Sequence, residues 1–239
     1  MEIFWAVFQG TVLAHKTFSW KGINMNSNFT IRVEEPRDFR TVENLTRDSF
    51  WNVYRPGCTE HYVLRCYRNN PDFISELSLV MEKDGQIIGH VMFSKAELDI
   101  EKDGKPTGEK LPIATFGPIS IHPDYKRQGY GLALLKYALE KAKALGIGFI
   151  CMEGNILFYS HAGFDLASKL KIHYHAEPKN SEVPYFLAQE LIPGYLNGIE
   201  ATYTPPKAYF VAEENPEAFA RYEAEFSYKE KLVLPGQLG

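Results

Sequence analysis

The sequence predicts an α/β fold, a mixed sheet with helices on both faces. Three observations carry this prediction. The segments run in the order strand, two helices, antiparallel meander, and then strand, helix, strand, helix, strand and strand. Residues 147–152 are almost uniformly apolar, as is typical of a strand buried in parallel pairing. Between the meander and that strand, apolar residues recur at i, i+3 and i+4 spacing from Leu132 to Leu145, which indicates an amphipathic helix.

The first half of the domain is predicted to be a strand, two helices and a three-stranded meander. Phe29–Val33 is the first strand, and Pro36 begins a helix because proline suits the first helical turn. A second helix covers Glu60–Arg68. The meander runs over residues 77–82, 86–100 and 111–121, with a Lys-Asp-Gly sequence at each of its two turns.

The second half begins with an irregularity in the third strand of the meander. Gly117-Pro118 predicts a bulge there, which would splay this strand from its parallel neighbour. A short helix over 156–161 and two further strands over 168–175 and 185–191 follow. The remaining chain is predicted to be a tail with one amphipathic helix at 216–226.

Composition and charge exclude several classes of protein. The chain has 239 residues, 45% of them hydrophobic, and a net charge of −4, so it lacks the basic field of a dedicated nucleic-acid binder. No apolar run reaches the ~18 residues of a membrane span. Three cysteines without C-x-x-C spacing favour a reduced, cytoplasmic protein. We expect a monomer or homodimer.

The organisation along the chain is predicted to be one domain with two extensions. The domain covers residues 29–206, and residues 207–239 form the C-terminal tail. Residues 1–28 are interpreted as an extension that is disordered or not native, with Met25 as the natural start. Nothing in the downstream pattern requires that extension.

The turn between the third meander strand and the long helix is rich in glycine and cations. It reads Lys126-Arg-Gln-Gly129-Tyr-Gly131. The first amides of a helix have no intrahelical partners and the helix dipole favours an anion there, so this turn suits a phosphate. It ends without the Lys-Ser/Thr of a Walker A loop and lacks the third glycine of a dinucleotide fingerprint.

This turn and its surroundings resemble the GCN5-related N-acetyltransferase (GNAT) superfamily. The family's acetyl-CoA signature is Arg/Gln-x-x-Gly-x-Gly/Ala, and here Lys126 takes the place of the usual Arg or Gln. The lead-in His122-Pro-Asp-Tyr and the later block Phe158-Tyr159-Ser-His-Ala-Gly-Phe164 are also similar. Gly117-Pro118 and Glu190-Leu-Ile-Pro-Gly194 look like a branch of small bacterial acetyltransferases. The resemblance covers about residues 29–206.

The resemblance implies an acetyl-CoA-dependent N-acetyltransferase that acetylates a primary amine by direct attack in a ternary complex. Tyr159 matches the family's general acid, and Glu153 at the end of a strand is a candidate base. The implied acetyl-CoA-binding residues are Ile119, Ser120, Ile121, Lys126, Arg127, Gln128, Gly129, Tyr130, Gly131 and Asn155. The strand residues among them would run beside the pantetheine arm, and a backbone N–H there would polarise the thioester carbonyl.

Several alternatives stay open at this point. Glu82, Glu97 and His122 are other candidate bases. No metal is expected, because His173 and His175 share a strand face but lack a third ligand of suitable spacing. A non-catalytic acetyl-CoA sensor and a nucleotide-binding protein are the rival functions. The acceptor is left open among polyamines, aminoglycosides, amino acids and protein amino groups.

Overall fold

The computed structural model describes residues 29–179 and 181–237. Residues 1–28, which were interpreted as an extension, lie outside the described residues. In the described residues the chain forms the expected α/β architecture, with a mixed sheet and helices on both of its faces. None of the described helices combines the length and the apolar composition needed to cross a membrane.

The sheet of the described residues contains nine strands. Seven follow the order β1-β2-β3-β4-β5-β8-β6, and β9 pairs with both β3 and β7. The pair β4–β5 is parallel, as is β7–β9, whereas the other neighbours are antiparallel. The strand bounds are β1 Thr30–Val33, β2 Leu79–Lys83, β3 Gln86–Lys102, β4 Lys105–Ile121, β5 Phe149–Glu153, β6 Asp165–Leu166, β7 Ile172–Tyr174, β8 Phe186–Glu190 and β9 Glu200–Tyr203.

Six α-helices accompany this sheet in the described residues. Their bounds are α1 Phe39–Phe50, α2 Glu60–Tyr67, α3 Tyr130–Ala144, α4 Ile156–Tyr159, α5 Val211–Glu214 and α6 Pro216–Glu223. Pro36–Asp38 forms a 3₁₀ turn directly before α1, so the helix signal at Pro36 is confirmed with a three-residue offset.

Alternate side chains of the strands pack against helices on opposite faces of the sheet. Leu79 and Met81 of β2 join the core cluster that includes α3, whereas Val80 between them packs with the helices α1 and α2. Successive side chains of a strand point to opposite faces, so a short apolar strand covered on both sides is hydrophobic throughout. The same reasoning explains the apolar sequence of β5.

One predicted strand is shorter in the structure, and two observed strands were not predicted. The expected strand over 168–175 is shortened to Ile172–Tyr174, because residues 167–170 form a 3₁₀ turn that ends at Lys171 in a left-handed conformation. The structure also contains two strands that the sequence pattern did not predict, the two-residue β6 and β9. Strand β9 has four residues and is held by pairing with β3 and β7 on its two sides.

The predicted splay lies between β4 and β5. These strands pair at Ala114 and Ile150 only, and residues 119–121 of β4 pair with β3 alone. Gly117 has a φ of +147°, a conformation that side-chain-bearing residues avoid, so glycine suits the point where β4 leaves β5. One edge of β4 is therefore unpaired within the described sheet.

Residues 207–237, which we call the C-terminal segment, pack against α1, α2 and the loop between them. Glu223 of α6 accepts hydrogen bonds from the buried side chain of Arg47 in α1, at 2.5 Å, and pairs with the buried His61 in α2, at 2.8 Å. Farther along, the carbonyl of Glu230 accepts from the Nδ2 of Asn52 at 3.0 Å. The predicted helix at 216–226 is confirmed as α6, which ends at Glu223.

Candidate active site

The unpaired edge of β4 presents backbone polar groups to the splay. His122 N donates to Ile88 O at 2.8 Å, and Ser120 lies opposite His90 in the same register. In an antiparallel ladder, alternate residues point their N–H and C=O groups toward the partner strand. Ile119 and Ile121 therefore direct theirs away from β3, to the open side. The carbonyl of Ile121 accepts from Ser49 Oγ at 2.9 Å.

The side chains of this strand pack on the two faces of the sheet. Ile119 and Ile121 contact the core cluster that includes α3. Ser120 is buried on the other face, where its hydroxyl donates to Thr46 Oγ1 of α1 at 3.2 Å. The side chains of these three residues are therefore packed inside the protein. Their backbone groups remain for a ligand, as expected if an extended ligand pairs with the strand edge.

The glycine-rich turn ends in the N-terminus of α3. Gly129 is in the left-handed conformation, with φ +87°, and the first helical bond runs from Ala133 N to Gly129 O at 3.0 Å. The N–H groups of residues 130–132 consequently have no partner inside the helix. Gly131 lies beside Ile121 and the ring of Phe158, so the helix end adjoins the open edge of β4.

The side chains of the turn have different environments. Lys126 Nζ donates to the carbonyl of Ser49 at 2.9 Å, and burial lowers the pKa of Lys126. Gln128 Nε2 donates to Asp124 O at 2.8 Å. Arg127 is exposed, with φ +61°, and makes no ion pair in the described residues. The ring of Tyr130 is buried against Phe29, so only its backbone faces the turn.

Tyr159 lies at the end of α4 within a cluster of aromatic rings. Its ring centroid is 5.8 Å from that of Phe116 on β4 and 4.9 Å from that of Phe158. A methyl group at Gly154 would lie 2.3 Å from the Tyr159 ring, so glycine allows the ring to pack directly on the backbone that follows β5. Burial raises the pKa of Tyr159, which keeps the phenol protonated.

Glu153 and Asn155 lie on either side of Gly154. Glu153 is exposed at the end of β5, and its Oε1 accepts from the Tyr174 hydroxyl at 2.8 Å. Asn155 caps α4, because its Oδ1 accepts from Leu157 N at 2.9 Å. The structure therefore brings Tyr159, Glu153 and Asn155 together at the β5 side of the splay.

The other candidate bases lie elsewhere. Glu82 is on β2 and pairs with Arg32 at 2.6 Å. Glu97 is exposed on the β3–β4 hairpin and pairs with Lys110 at 2.7 Å. The Nδ1 of His122 accepts from Asp124 N at 3.3 Å, within the turn that leads to α3. Among these four candidate bases, Glu153 is the one that adjoins Gly154, against which the Tyr159 ring packs.

Tyrosines that the sequence pattern did not identify contact Glu153 and the splay. Tyr174 binds Glu153, and its ring lies 5.9 Å from that of Tyr185. Tyr209 of the C-terminal segment donates to the carbonyl of Gly117 at 3.2 Å. These residues are far apart in sequence and on different elements, so no local spacing could have identified them.

A further cluster lies on β3, β7 and β9. Oxygen and nitrogen atoms of Glu101, His173 and Glu200 lie within 4.8 Å of one another. His175, which the sequence paired with His173, is exposed and is not in this group. The ammonium of Lys179 lies 2.5 Å from Glu101 Oε2, so the buried carboxylate already has a cationic partner.

Comparisons with known proteins agree with this architecture. The model of the acetyltransferase (GNAT) family matches residues 42–164, just over half of the chain. An uncharacterized N-acetyltransferase of Escherichia coli (strain K12), YhbS, is 27% identical over 138 residues, which make up 58% of this chain and 74% of YhbS.

Two crystal structures share the fold. That of YhbS from Escherichia coli in complex with CoA has a TM-score of 0.63 and 24% identity, covering 79% of this chain and 96% of YhbS. A GNAT family acetyltransferase from Brucella melitensis in complex with acetyl-CoA has a TM-score of 0.57 and 21% identity, covering 77% of this chain and 99% of the other.

Proposed function

The chain belongs to the acetyltransferase (GNAT) family, and we propose that it transfers an acetyl group from acetyl-CoA to a primary amine within a ternary complex. One observation carries the proposal: the unpaired edge of β4 lies beside the free N-terminal amides of α3. An extended chain that ends in a pyrophosphate needs this combination of a strand edge and an anion site. The CoA and acetyl-CoA bound by the two structural relatives support the same cosubstrate.

Acetyl-CoA would be held mainly by backbone groups. Ile119 and Ile121 would pair with the pantetheine arm, and the amides of residues 127–131 would bind the pyrophosphate. Because the ammonium of Lys126 donates a hydrogen bond to the carbonyl of Ser49, we assign the positive charge at the phosphates to Arg127. The side-chain amide of Asn155 faces solvent beyond its cap and would bind the pantetheine from the β5 side.

The reaction begins with the loss of a proton from the acceptor ammonium, which we assign to Glu153, directly or through water. The nitrogen lone pair then attacks the thioester carbon, and the C–S bond breaks as the C–N bond forms. Tyr159 donates its proton to the leaving thiolate. The new amide nitrogen loses its extra proton and restores the phenol, so one proton is released overall.

The protonation state of Tyr159 fits this role. Burial raises the pKa of the phenol, so the residue enters the reaction as an acid. A backbone N–H on the open edge of β4 would stabilise the negative charge that develops on the thioester oxygen. The contact of the Tyr159 ring with Phe116 of the same strand supports this assignment.

Calorimetric titration with acetyl-CoA tests the cofactor assignment. We expect binding in the micromolar range, about −8 kcal/mol. Gly131→Val should weaken it at least about a hundred-fold, because the branched side chain would fill the space between Ile121 and Phe158. Gly131→Ala is the matched control, since its methyl group would lie 3.4 Å or more from its neighbours.

Two outcomes would count against the proposal. A folded protein that does not bind acetyl-CoA would overturn the assignment of the strand edge and turn. Binding without acetylation of any amine would instead favour the non-catalytic, acetyl-CoA-binding module. Thiol release measured with an amine panel separates the enzyme from that module.

A further inference from the structure

A bulge interrupts β4 at the point where this strand leaves β5. The register of β4 against β3 shifts by one residue there, so Gly117 and Pro118 together stand opposite Met92. The extra residue of a bulge leaves the hydrogen-bond ladder locally incomplete. The carbonyl of Gly117 accepts a hydrogen bond from the hydroxyl of Tyr209 at 3.2 Å. The bulge is therefore held by a side chain that lies 92 residues later in the chain.

The side chain of Tyr209 is itself fixed by its surroundings. Tyr209 lies in the 3₁₀ turn Lys207–Phe210, at the start of the C-terminal segment. Its ring packs on that of the fully buried Tyr67 in α2, with centroids 4.9 Å apart. The buried hydroxyl of Ser94 on β3 lies 3.5 Å from the Tyr209 oxygen. Burial raises the pKa of Tyr209, so the phenol keeps the proton that it donates.

The backbone from Gly117 to Ile119 has few restraints of its own. Glycine has no Cβ, so no side chain fixes the φ of +147° at Gly117. The ring of Pro118 restricts its φ, and Pro118 has no N–H to donate. The N–H of Ile119 is consequently the first donor beyond the bulge on the open edge of β4. The direction of this N–H depends on how the Gly117 carbonyl is held.

We propose that Tyr209 is a positioning residue for acetyl transfer. By holding the Gly117 carbonyl, its hydroxyl directs the N–H of Ile119 at the thioester oxygen of acetyl-CoA. This inference rests on the proposed acetyltransferase function and gives the C-terminal segment a part in the same site. Negative charge grows on the thioester oxygen as the amine attacks, and a donor stabilises it most when its direction is fixed beforehand. Without the Tyr209 hydroxyl, the bulge can turn and the N–H samples directions that miss the oxygen.

Tyr222 provides a matched control for the hydroxyl of Tyr209. It is a buried tyrosine of the same segment, and its hydroxyl donates to the backbone carbonyl of His61 in α2 at 3.5 Å. Tyr222→Phe therefore removes the same group from a contact that does not include β4. A role in stability alone predicts similar effects of Tyr209→Phe and Tyr222→Phe, whereas a positioning role predicts that their effects differ.

The carbonyl stretch of bound acetyl-CoA reports on the hydrogen bond directly. Acetyl-CoA labelled with ¹³C at the acetyl carbonyl is bound without an amine and measured by isotope-edited infrared spectroscopy. We expect the wild type to lower the carbonyl frequency relative to free acetyl-CoA, because a donor at the oxygen polarises the C=O bond. Tyr209→Phe should lose at least about half of this downshift, whereas Tyr222→Phe should keep it. Calorimetry should give Kd values for acetyl-CoA within about three-fold of the wild type for both variants.

Turnover gives a second comparison of the same variants. With an amine that the wild type acetylates, Tyr209→Phe should lower kcat about ten-fold, less than the loss of a direct oxyanion donor would. Its KM for acetyl-CoA should stay unchanged, because the lost interaction acts in the transition state. Tyr222→Phe should keep kcat within about two-fold of the wild type.

The outcomes separate failure of the inference from failure of the proposed function. A Tyr209→Phe variant with the wild-type carbonyl frequency overturns the inference, and so do equal losses of the downshift or of kcat in the two variants. If acetyl-CoA binds but no amine is acetylated, the enzyme assignment fails and the carbonyl frequencies alone decide the role of Tyr209. If acetyl-CoA does not bind, the proposed function fails and the inference falls with it.

Discussion

The hydroxyl of Tyr209 donates a hydrogen bond to the carbonyl oxygen of Gly117 across 3.2 Å. This contact joins the C-terminal segment to β4 at the residue where the strand leaves β5. The Tyr209 ring also packs on Tyr67 of α2, with centroids 4.9 Å apart. The C-terminal segment is therefore part of the framework around the splay.

Removal of this hydroxyl should destabilise the protein. Tyr209→Phe keeps the ring but deprives Gly117 of its donor, at a cost of about 1 kcal/mol. For a chain of this size we expect Tm to fall by about 2–4 °C in a thermal denaturation experiment. Tyr228→Phe is the control, because Tyr228 is 90% exposed and should leave Tm unchanged. Equal Tm values for both variants and the wild type would contradict the structural role.

The acid role of Tyr159 predicts a specific kinetic change. Tyr159→Phe should lower kcat at least about ten-fold, a loss of about 1.4 kcal/mol in transition-state stabilisation. Acetyl-CoA affinity should stay within about three-fold, since the aromatic contacts with Phe116 and Phe158 are retained. Steady-state kinetics and calorimetry measure the two quantities. Wild-type turnover in the variant would remove Tyr159 as the acid.

The two basic residues of the glycine-rich turn should differ in their effect on acetyl-CoA binding. Arg127→Gln should raise Kd about ten-fold, because the exposed guanidinium is free to reach a phosphate. Lys126→Gln should change Kd by less than about three-fold, since Lys126 Nζ is held by Ser49 O. Calorimetry of both variants gives the comparison. A larger loss for Lys126→Gln would show that this ammonium leaves Ser49 to bind the cofactor.

His90 predicts how stability depends on pH. Burial lowers the pKa of His90 to about 4, against 6.5 for the free side chain. Between these values the unfolded chain binds a proton that the folded chain does not, so the free energy of unfolding falls as pH falls. The expected loss from pH 7 to pH 5 is about 2 kcal/mol for this group.

Two measurements check the His90 prediction. Urea denaturation across this range should show a flatter pH dependence for His90→Gln than for the wild type. NMR of the wild-type imidazole should show a neutral ring at pH 5.5. A ring that titrates near pH 6.5 in the folded protein would contradict the prediction.

Local patterns were sufficient to predict most of the helices and strands. The i, i+3, i+4 pattern from Leu132 predicted α3, and the Asp84-Gly85 turn, with both residues at positive φ, placed the β2–β3 hairpin. β9 could not be predicted in this way. Its four residues have no distinctive periodicity, and the strand forms because β3 and β7 supply partners from distant parts of the chain.

The site was predictable to the extent that one continuous segment forms it. The glycine-rich turn and the splay at Gly117 follow from nearby residues, and Tyr159 was selected through the resemblance to the family. The environment of Lys126 could not be predicted from nearby residues, because its partner Ser49 belongs to α1. The same limit applies to Tyr174 and Tyr209, which bind Glu153 and Gly117 only through tertiary packing.

The contacts of Asn52 with the C-terminal segment have a consequence for binding entropy. Its side chain bonds to Glu230 O and Leu232 N, and its carbonyl accepts from Gln237 Nε2 at 2.9 Å. A loop that becomes ordered only when its ligand arrives reduces affinity by the conformational freedom it loses. In this protein the C-terminal segment holds the loop between α1 and α2 through these hydrogen bonds. The entropic cost of ordering this loop therefore falls on folding, and a ligand that bound against the loop would not have to supply it.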